Sequence, residues 1–239
     1  SPSNTYYWRV TASNGCGTAP ASTVFNFTTG QIGCDTISNY DDATDTPRLY
    51  SAGAGLGYVS GHNSYGDLAK ADKYNYTGPN THIKGAYIGF GRAVASNGTN
   101  TFNVRVWDGT SGSPTTVLAS VPVTYQAVQT LIAGGGNVGY IPFGSIALPS
   151  SKVFFVGIEF TYGNDTIALI TNTIGETTPA TAWEKFSNGT WVPYDNASSW
   201  GIGVAHYIFP VLGTPPNTNF TPMAPTICVG NTVNFTNTS

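Results

Sequence analysis

The histidines and carboxylates are the side chains of this chain best suited to chemistry, yet their spacing forms no recognised catalytic motif. None of the three histidines begins a His-Glu-x-x-His motif, and the chain has no Gly-x-Ser-x-Gly. Residues 134–139 match Gly-x-Gly-x-x-Gly, but Pro142 and the β-type residues after it preclude the helix N-terminus that phosphate binding requires. We interpret this stretch as a loop and expect no catalytic residue in it.

Glycoside hydrolysis would require two carboxylates placed across a sugar ring. The only glutamates are Glu159, Glu176 and Glu184. Glu159 falls on the same face of a predicted strand as Val153 and Phe155, which favours a structural role for its carboxylate. The polar segment 60–67 contains His62, and we interpret it as a hydrogen-bonded loop rather than a Ser-His-Asp site. The sequence therefore predicts that this chain is not an enzyme.

Aromatic residues are concentrated late in the chain, beside amides and a carboxylate. Carbohydrate-binding sandwiches present such rings to sugar faces, with Asn, Asp or Gln nearby for the hydroxyls. Two interpretations stay open, a ligand-binding aromatic platform and a set of core residues. The candidate platform residues are Trp183, Trp191, Tyr194 and Trp200, with Trp107 on an earlier strand.

Two groups of aspartates could hold a structural calcium ion, since Ca²⁺ prefers carboxylate and carbonyl oxygens. The alternative is that these side chains cap backbone amides in solvated turns. The candidate ligands are Asp41, Asp42 and Asp45 in the first group and Asp67 and Asp72 in the second.

The elements that would position these residues are β-strands. Hydrophobic residues make up 40% of the chain and charged residues only 9%, which disfavours helical bundles. Residues 101–107 alternate clearly, residues 153–160 are apolar on both faces, and Asn188-Gly189 separates two aromatic runs as a tight hairpin does. The fold class predicted is all-β, a jelly-roll-like antiparallel sandwich with almost no helix.

Charge and hydropathy exclude several partners. The net charge is −3 with nine scattered basic residues, so nucleic-acid binding is not expected. No stretch of 18 apolar residues occurs, so no membrane span is predicted. Low charge with abundant uncharged polar residues is typical of extracellular β modules, and we predict a secreted or cell-surface location.

The first block of the chain resembles the end of a fibronectin type III domain. Residues 4–12 read Asn-Thr-Tyr-Tyr-Trp-Arg-Val-Thr-Ala, Cys-Gly-Thr follows at 16–18, and residues 25–29 read Phe-Asn-Phe-Thr-Thr. The resemblance implies the last two strands of an immunoglobulin-like sandwich, with Trp8 in its core.

The last block resembles the opening strands of a PKD domain, through Asn-Phe-Thr at 219–221 and Thr-Ile-Cys-Val-Gly-Asn-Thr-Val-Asn-Phe-Thr at 226–236. The middle resembles modules that lie between such domains in surface proteins of gliding bacteria, including adhesins and multidomain peptidases. This implies fibronectin-like strands over 1–30, a central sandwich over 31–213, and a linker with PKD-like strands over 214–239. Neighbouring domains of a longer protein are then partners, and the orphan strands are expected to pair with another strand.

The three cysteines allow at most one internal disulfide. Cys16 and Cys34 bracket the last fibronectin-like strand, and we predict a bridge between them that leaves Cys228 without an internal partner. The alternative is three free thiols.

Together these observations predict a non-catalytic extracellular module for adhesion that binds a polysaccharide or another surface glycan. The alternative is a structural spacer, or an accessory domain beside a secreted peptidase or glycosidase, with no ligand of its own. Buried Trp183, Trp191 and Trp200 would favour the alternative.

Overall fold

The structure is a computed structural model that describes residues 5–15, 17–28, 34–215, 220–222 and 235–237. The chain divides into two compact units, one formed by Cys34–Gly213 and the other by Ser1–Gly33 with Thr214–Ser239. The elements in chain order are β1 (Thr5–Trp8), β2 (Ser13–Asn14), β3 (Gly17–Thr18), β4 (Phe25–Thr28), β5 (Asp35–Thr36), β6 (Ala69–Asn75), β7 (His82–Val94), β8 (Thr101–Asp108), β9 (Val117–Thr124), α1 (Tyr125–Ala133), β10 (Val138–Ala147), β11 (Val153–Glu159), β12 (Thr166–Leu169), β13 (Ala182–Lys185), β14 (Trp191–Pro193), β15 (Ile208–Gly213), β16 (Phe220–Pro222) and β17 (Phe235–Asn237).

The unit 34–213 is a sandwich of two antiparallel sheets, which confirms the all-β fold class. One sheet has the strand order β14-β13-β6-β11-β8-β9. The other has the order β10-β7-β15-β5, and β12 also pairs with the long strand β7. Because inward residues alternate along the strands, both sheets close on one core that includes Phe102, Phe154, Ile88 and Ile208.

The predicted features of single strands are largely confirmed. β11 lies between β6 and β8 and is buried along most of its length, as its apolar run indicated. β13 and β14 form an antiparallel hairpin, and Gly189 has a φ of 88° in its turn. The one short helix, α1, was not predicted; Thr124 ends β9 and caps the helix by accepting a hydrogen bond from the Ala127 amide.

In the other unit the short strands pair among themselves. β1 pairs with β4, where the Trp8 and Phe25 rings stack at 5.0 Å, and β16 pairs with β17. The predicted orphan strands therefore have partners. No helix in the described part of the chain has the length and apolar character that crossing a membrane requires.

Candidate functional site

A cavity of about 500 Å³ lies at one edge of the six-stranded sheet. Three segments enclose it: the loop that leads into β6, the strand β13 with the hairpin turn that follows it, and the loop after β14. The lining is a mixture of aromatic, hydroxyl, amide and carboxylate side chains, from Tyr65, Asp67, Glu184, Phe186, Ser187, Asn188, Ser198, Ser199 and Trp200.

A buried lysine binds two carboxylates at the floor of this cavity. The Lys70 Nζ atom lies 2.6 Å from Asp67 Oδ2 and 2.6 Å from Glu184 Oε2, and its side chain is fully buried. Lys70 and Glu184 are directly opposite in the pairing of β6 with β13, so both side chains point to the same face. One ammonium group against two carboxylates leaves the cluster with an excess of negative charge.

Neighbouring donors fix both carboxylates. The Trp200 indole donates to Glu184 Oε2 at 2.6 Å, the Ser199 hydroxyl donates to Glu184 Oε1 at 2.7 Å, and the Asn63 amide donates to Asp67 Oδ2 at 2.7 Å. None of the described residues donates to Asp67 Oδ1. Because Asp67 lines the cavity, this oxygen is available to accept a hydrogen bond from a ligand.

Burial and the lysine act on Glu184 in opposite directions. Burial raises the pKa of the Glu184 carboxyl, and the charge and hydrogen bond of Lys70 oppose that rise without cancelling it. The Lys70 Nζ atom also lies 5.4 Å from the Tyr194 ring centre and 5.6 Å from the Trp200 ring centre. The aromatic rings and the ion cluster are therefore one packed group.

The walls of the cavity carry aromatic rings in contact. Tyr65 is 57% exposed, and its ring meets the Trp200 ring edge to face at 5.6 Å. Trp200 itself is partly buried. This arrangement offers ring surface beside hydrogen-bond acceptors, which is what a hydroxylated ligand with apolar C–H faces requires.

Of the five predicted platform residues, only Trp200 lines this cavity. Three others, Trp107, Trp183 and Trp191, lie on the outer face of the six-stranded sheet together with Phe155. We name these four residues the tryptophan face. The expected exposure of Trp107 is wrong, because the Trp191 ring packs against it at 5.3 Å and leaves it 2% exposed. Trp183 and Trp191 are partly buried.

Tyr194 is also not available as a platform residue. It is fully buried, and its hydroxyl donates to the Val59 carbonyl at 2.8 Å. The residue lies between the Lys70 ammonium and the edge of the His206 ring, so it packs inside the unit rather than toward solvent. The platform alternative fails for this residue and the core alternative describes it.

The first aspartate group caps its own turn. Asp41 Oδ1 accepts from the Ala43 amide, and Asp45 Oδ2 accepts from the Asp41 amide and the Asn172 side chain. Asp42 accepts from the Tyr207 hydroxyl. Protein donors thus contact each of these carboxylates, as in the turn-capping alternative.

The two aspartates of the second group belong to separate clusters. Asp67 binds Lys70, whereas Asp72 accepts from the His206 ring at 2.7 Å and from the His206 amide at 3.1 Å. Within the described ranges no three His, Cys, Asp or Glu side chains are arranged to hold a metal ion. Calcium binding stays a prediction, which thermal melting with and without a chelator tests.

Cys34 is an exposed free thiol among the described residues. Its predicted partner Cys16 and the third cysteine, Cys228, both lie outside the described residues. The predicted Cys16–Cys34 disulfide therefore stays a prediction.

The other residues weighed for chemistry have structural partners. Glu159 binds Arg105 and Lys185 in an ion cluster on the outer face of the sheet. His62 accepts from the Ile167 amide at 3.1 Å, and burial lowers its pKa, so it stays neutral. Residues 134–139 follow the C-terminus of α1, which is not the helix end that binds phosphate.

The sequence pattern drew attention to Asp67 and Glu184 but not to Lys70, which joins them, nor to Tyr65 at the wall. Lys70 lies on β6, a strand that the pattern did not predict, and Tyr65 carries no local signal. Sequence analysis also missed an exposed aromatic surface on the five-stranded sheet, which we name the tyrosine face: Tyr87, Tyr140, Tyr207 and Phe209. Tyr140, Tyr87 and Phe209 are opposite one another across β10, β7 and β15.

No known protein family matches this sequence, and no curated protein does. Solved structures that match this chain include the cysteine protease and lectin-like domains of Cwp84, a surface layer associated protein of Clostridium difficile. That structure has 16% sequence identity and a TM-score of 0.46, and the match covers 70% of this chain and 36% of that chain. A structure of clostridial Cwp84 after propeptide cleavage has 15% identity and a TM-score of 0.41, with 70% and 40% covered. This chain thus spans well under half of either protein.

Proposed function

We propose that the cavity beside Trp200 binds a glycan, and that the unit 34–213 is a non-catalytic carbohydrate-binding module of a secreted or cell-surface protein. The observation that carries the proposal is the position of Asp67. Asp67 lines the cavity; its Oδ2 atom is held by Lys70 and Asn63, while its Oδ1 atom has no donor among the described residues.

The chemistry of sugars fits this lining. Sugar hydroxyls donate to carboxylates and accept from amides and hydroxyls, and the cavity offers Asp67, Asn188 and Ser198 for these bonds. The C–H faces of a sugar stack on aromatic rings, which Tyr65 and Trp200 provide at the wall. Since Lys70 and its neighbours fix the carboxylates before binding, little ordering is needed when the ligand enters.

The same geometry disfavours hydrolysis. A glycosidase needs one carboxyl group that donates a proton and another that attacks or activates water. Here one ammonium group bridges Asp67 and Glu184, and the indole of Trp200 also binds Glu184. Although burial raises the pKa of Glu184, donors occupy both of its carboxylate oxygens, which suits recognition rather than proton transfer.

The proposal is tested by isothermal titration of the purified chain against soluble oligosaccharides, including cello- and xylo-oligosaccharides. We expect binding to be lost in Asp67→Asn, whose amide would place a donor or a weaker acceptor in the cavity. Trp200→Phe keeps a ring but removes the indole donor to Glu184, and we expect at least tenfold weaker binding.

The matched control is Trp183→Phe, whose side chain lies on the opposite face of β13 from Glu184 and does not line the cavity, so the affinity is expected to be unchanged. If the wild-type chain showed no heat of binding with any oligosaccharide of a broad panel, the proposal would be contradicted. The spacer alternative would then be the better description of this chain.

A further inference from the structure

A second cavity, of about 370 Å³, lies among the loops at another part of the same unit. It is bounded by the loop between β7 and β8, the loop between β11 and β12, and the first residue of α1. Its volume falls at the small end of the range of about 300–1,000 Å³ for small-molecule pockets. The groups that matter most in its lining are Tyr125 and Asp165.

The hydroxyl of Tyr125 is buried without a partner. The residue is 2% exposed, and no described residue donates to or accepts from its hydroxyl oxygen. Its ring is fixed in the core against Phe102, at 5.2 Å between ring centres. A buried hydroxyl that makes no hydrogen bond is costly. Its oxygen has almost no surface open to the empty cavity, so a ligand accepts from it after a small shift of the lining, and that hydrogen bond would remove the cost.

Asp165 supplies the complementary acceptor. Its Oδ1 atom accepts from the Ser96 amide at 2.6 Å and from the Ser96 hydroxyl at 2.8 Å. Its Oδ2 atom accepts only from the Asn100 side chain, at 2.6 Å, among the described residues. These hydrogen bonds lower the pKa of Asp165, so it stays an ionised acceptor, while burial raises the pKa of Tyr125 to about 12, so it stays a donor.

The charge of the lining selects the class of ligand. The cavity has one carboxylate and no basic residue in its lining, which excludes anions. The described residues offer no set of three ligating side chains there for a divalent metal ion. Apart from the two tyrosine rings the lining is polar, through Ser96, Asn97, Asn100 and Thr161. A small neutral molecule with several hydroxyl groups satisfies all of these conditions.

We propose that this second cavity binds a neutral monosaccharide or a similar small polyol, which accepts from the Tyr125 hydroxyl and donates to Asp165. The site is separate from the cavity beside Trp200 and does not depend on the proposed function of that cavity.

The test is ligand-detected saturation-transfer NMR with glucose, galactose, mannose, N-acetylglucosamine and glycerol. Because the cavity beside Trp200 is also proposed to bind sugars, the signal is measured in Asp67→Asn, where binding at that cavity is expected to be lost. We expect at least one of these probes to bind Asp67→Asn and to lose its signal when Tyr125→Phe is added. Because Tyr125→Phe removes an unpaired buried hydroxyl, its melting temperature without ligand is expected to be unchanged or higher. Trp200→Phe should keep this signal, which separates the two sites.

The matched control is Tyr74→Phe, at a tyrosine that is equally buried but whose hydroxyl donates to the Ile208 carbonyl at 2.8 Å. Loss of that bond is expected to lower the melting temperature by roughly 2–4 °C, with the probe signal kept. Three outcomes would overturn the proposal: no probe binds Asp67→Asn, a probe binds the double variant Asp67→Asn with Tyr125→Phe as well as Asp67→Asn alone, or Tyr125→Phe melts as low as Tyr74→Phe. The last would mean that the Tyr125 hydroxyl is paired in the ligand-free protein.

Discussion

The outer faces of the two sheets both carry a row of aromatic rings, but only the tyrosine face includes exposed rings. On the tryptophan face, Trp107 is 2% exposed and Phe155 is fully buried, with their rings packed against Trp191 and Trp183 at 5.3 and 5.4 Å. On the tyrosine face, Tyr87 and Tyr140 are 45% and 44% exposed although their rings lie 4.9 Å apart. Aromatic density alone therefore does not indicate which rings meet solvent.

Small residues beneath the rings explain part of this difference. The rings of the tryptophan face pack with Ala69 and Ala71. Because these side chains are small, the large indoles lie close to the sheet and pack against their neighbours. On the tyrosine face a Cβ at Gly85 would collide with the Tyr140 ring, and a Cβ at Gly89 with the Tyr207 ring. Glycine thus lets each tyrosine ring lie directly on the strand while its other side stays open.

The largest expected effect separates buried from exposed rings. Trp107→Ala should lower the free energy of unfolding by about 3–5 kcal/mol, because it leaves a cavity where Trp191 packs. Tyr87→Ala, at the most exposed ring of the tyrosine face, should cost less than about 1 kcal/mol. Urea unfolding followed by circular dichroism measures both, and similar losses would mean that the two faces do not differ in packing.

Two glycines on the outer faces of the sheets, Gly157 on β11 and Gly89 on β7, give the next largest effect. Gly157→Ala should destabilise the chain by about 1–3 kcal/mol or more, because the new Cβ would collide with the backbone of β6 at Lys70 and Ala71. Gly89→Ala should cost less, since the atoms nearest its Cβ belong to the Tyr207 side chain, at 2.8 Å, and not to the backbone. Melting curves of the two variants test this order, and a larger loss for Gly89→Ala would show that the Tyr207 ring is rigidly held.

Alkaline pH should affect the two faces in opposite directions. Burial, with the hydrogen bond to Asp42, raises the pKa of Tyr207, so the unfolded chain releases that proton first and stability falls as the pH rises above about 10. Burial, and then Arg105, lowers the pKa of Lys185 on the outer face of the other sheet. The unfolded chain then holds more protons just below pH 10.4, so this residue makes stability rise with pH there.

Denaturant unfolding between pH 8 and 11 measures these slopes. Tyr207→Phe should make the alkaline decline shallower, and Lys185→Met should make it steeper. If neither variant changed the slope, the titrating groups would have to lie elsewhere in the chain.

Sequence patterns predicted the strands of the core better than the strand that carries the candidate site. β8, β11 and the β13–β14 hairpin follow from alternation, an apolar run and Asn-Gly, all of which are local signals. β6 was missed because its inward positions include Lys70 and Asp72, which are charged and pair with residues far along the chain. Tertiary ion pairing reverses the usual rule that charged residues point outward, and no local pattern reports it.

The smallest expected effect concerns where a glycan binds. If the cavity beside Trp200 is the glycan site, Tyr87→Ala and Tyr140→Ala should leave the affinity for oligosaccharides unchanged, since neither ring lines that cavity. Titration calorimetry of these variants beside Trp200→Phe measures this directly. Exposed tyrosine rings lying flat on a sheet could also stack on sugar faces. If the tyrosine variants lost affinity and Trp200→Phe kept it, the glycan-binding site would therefore be the tyrosine face and not the cavity.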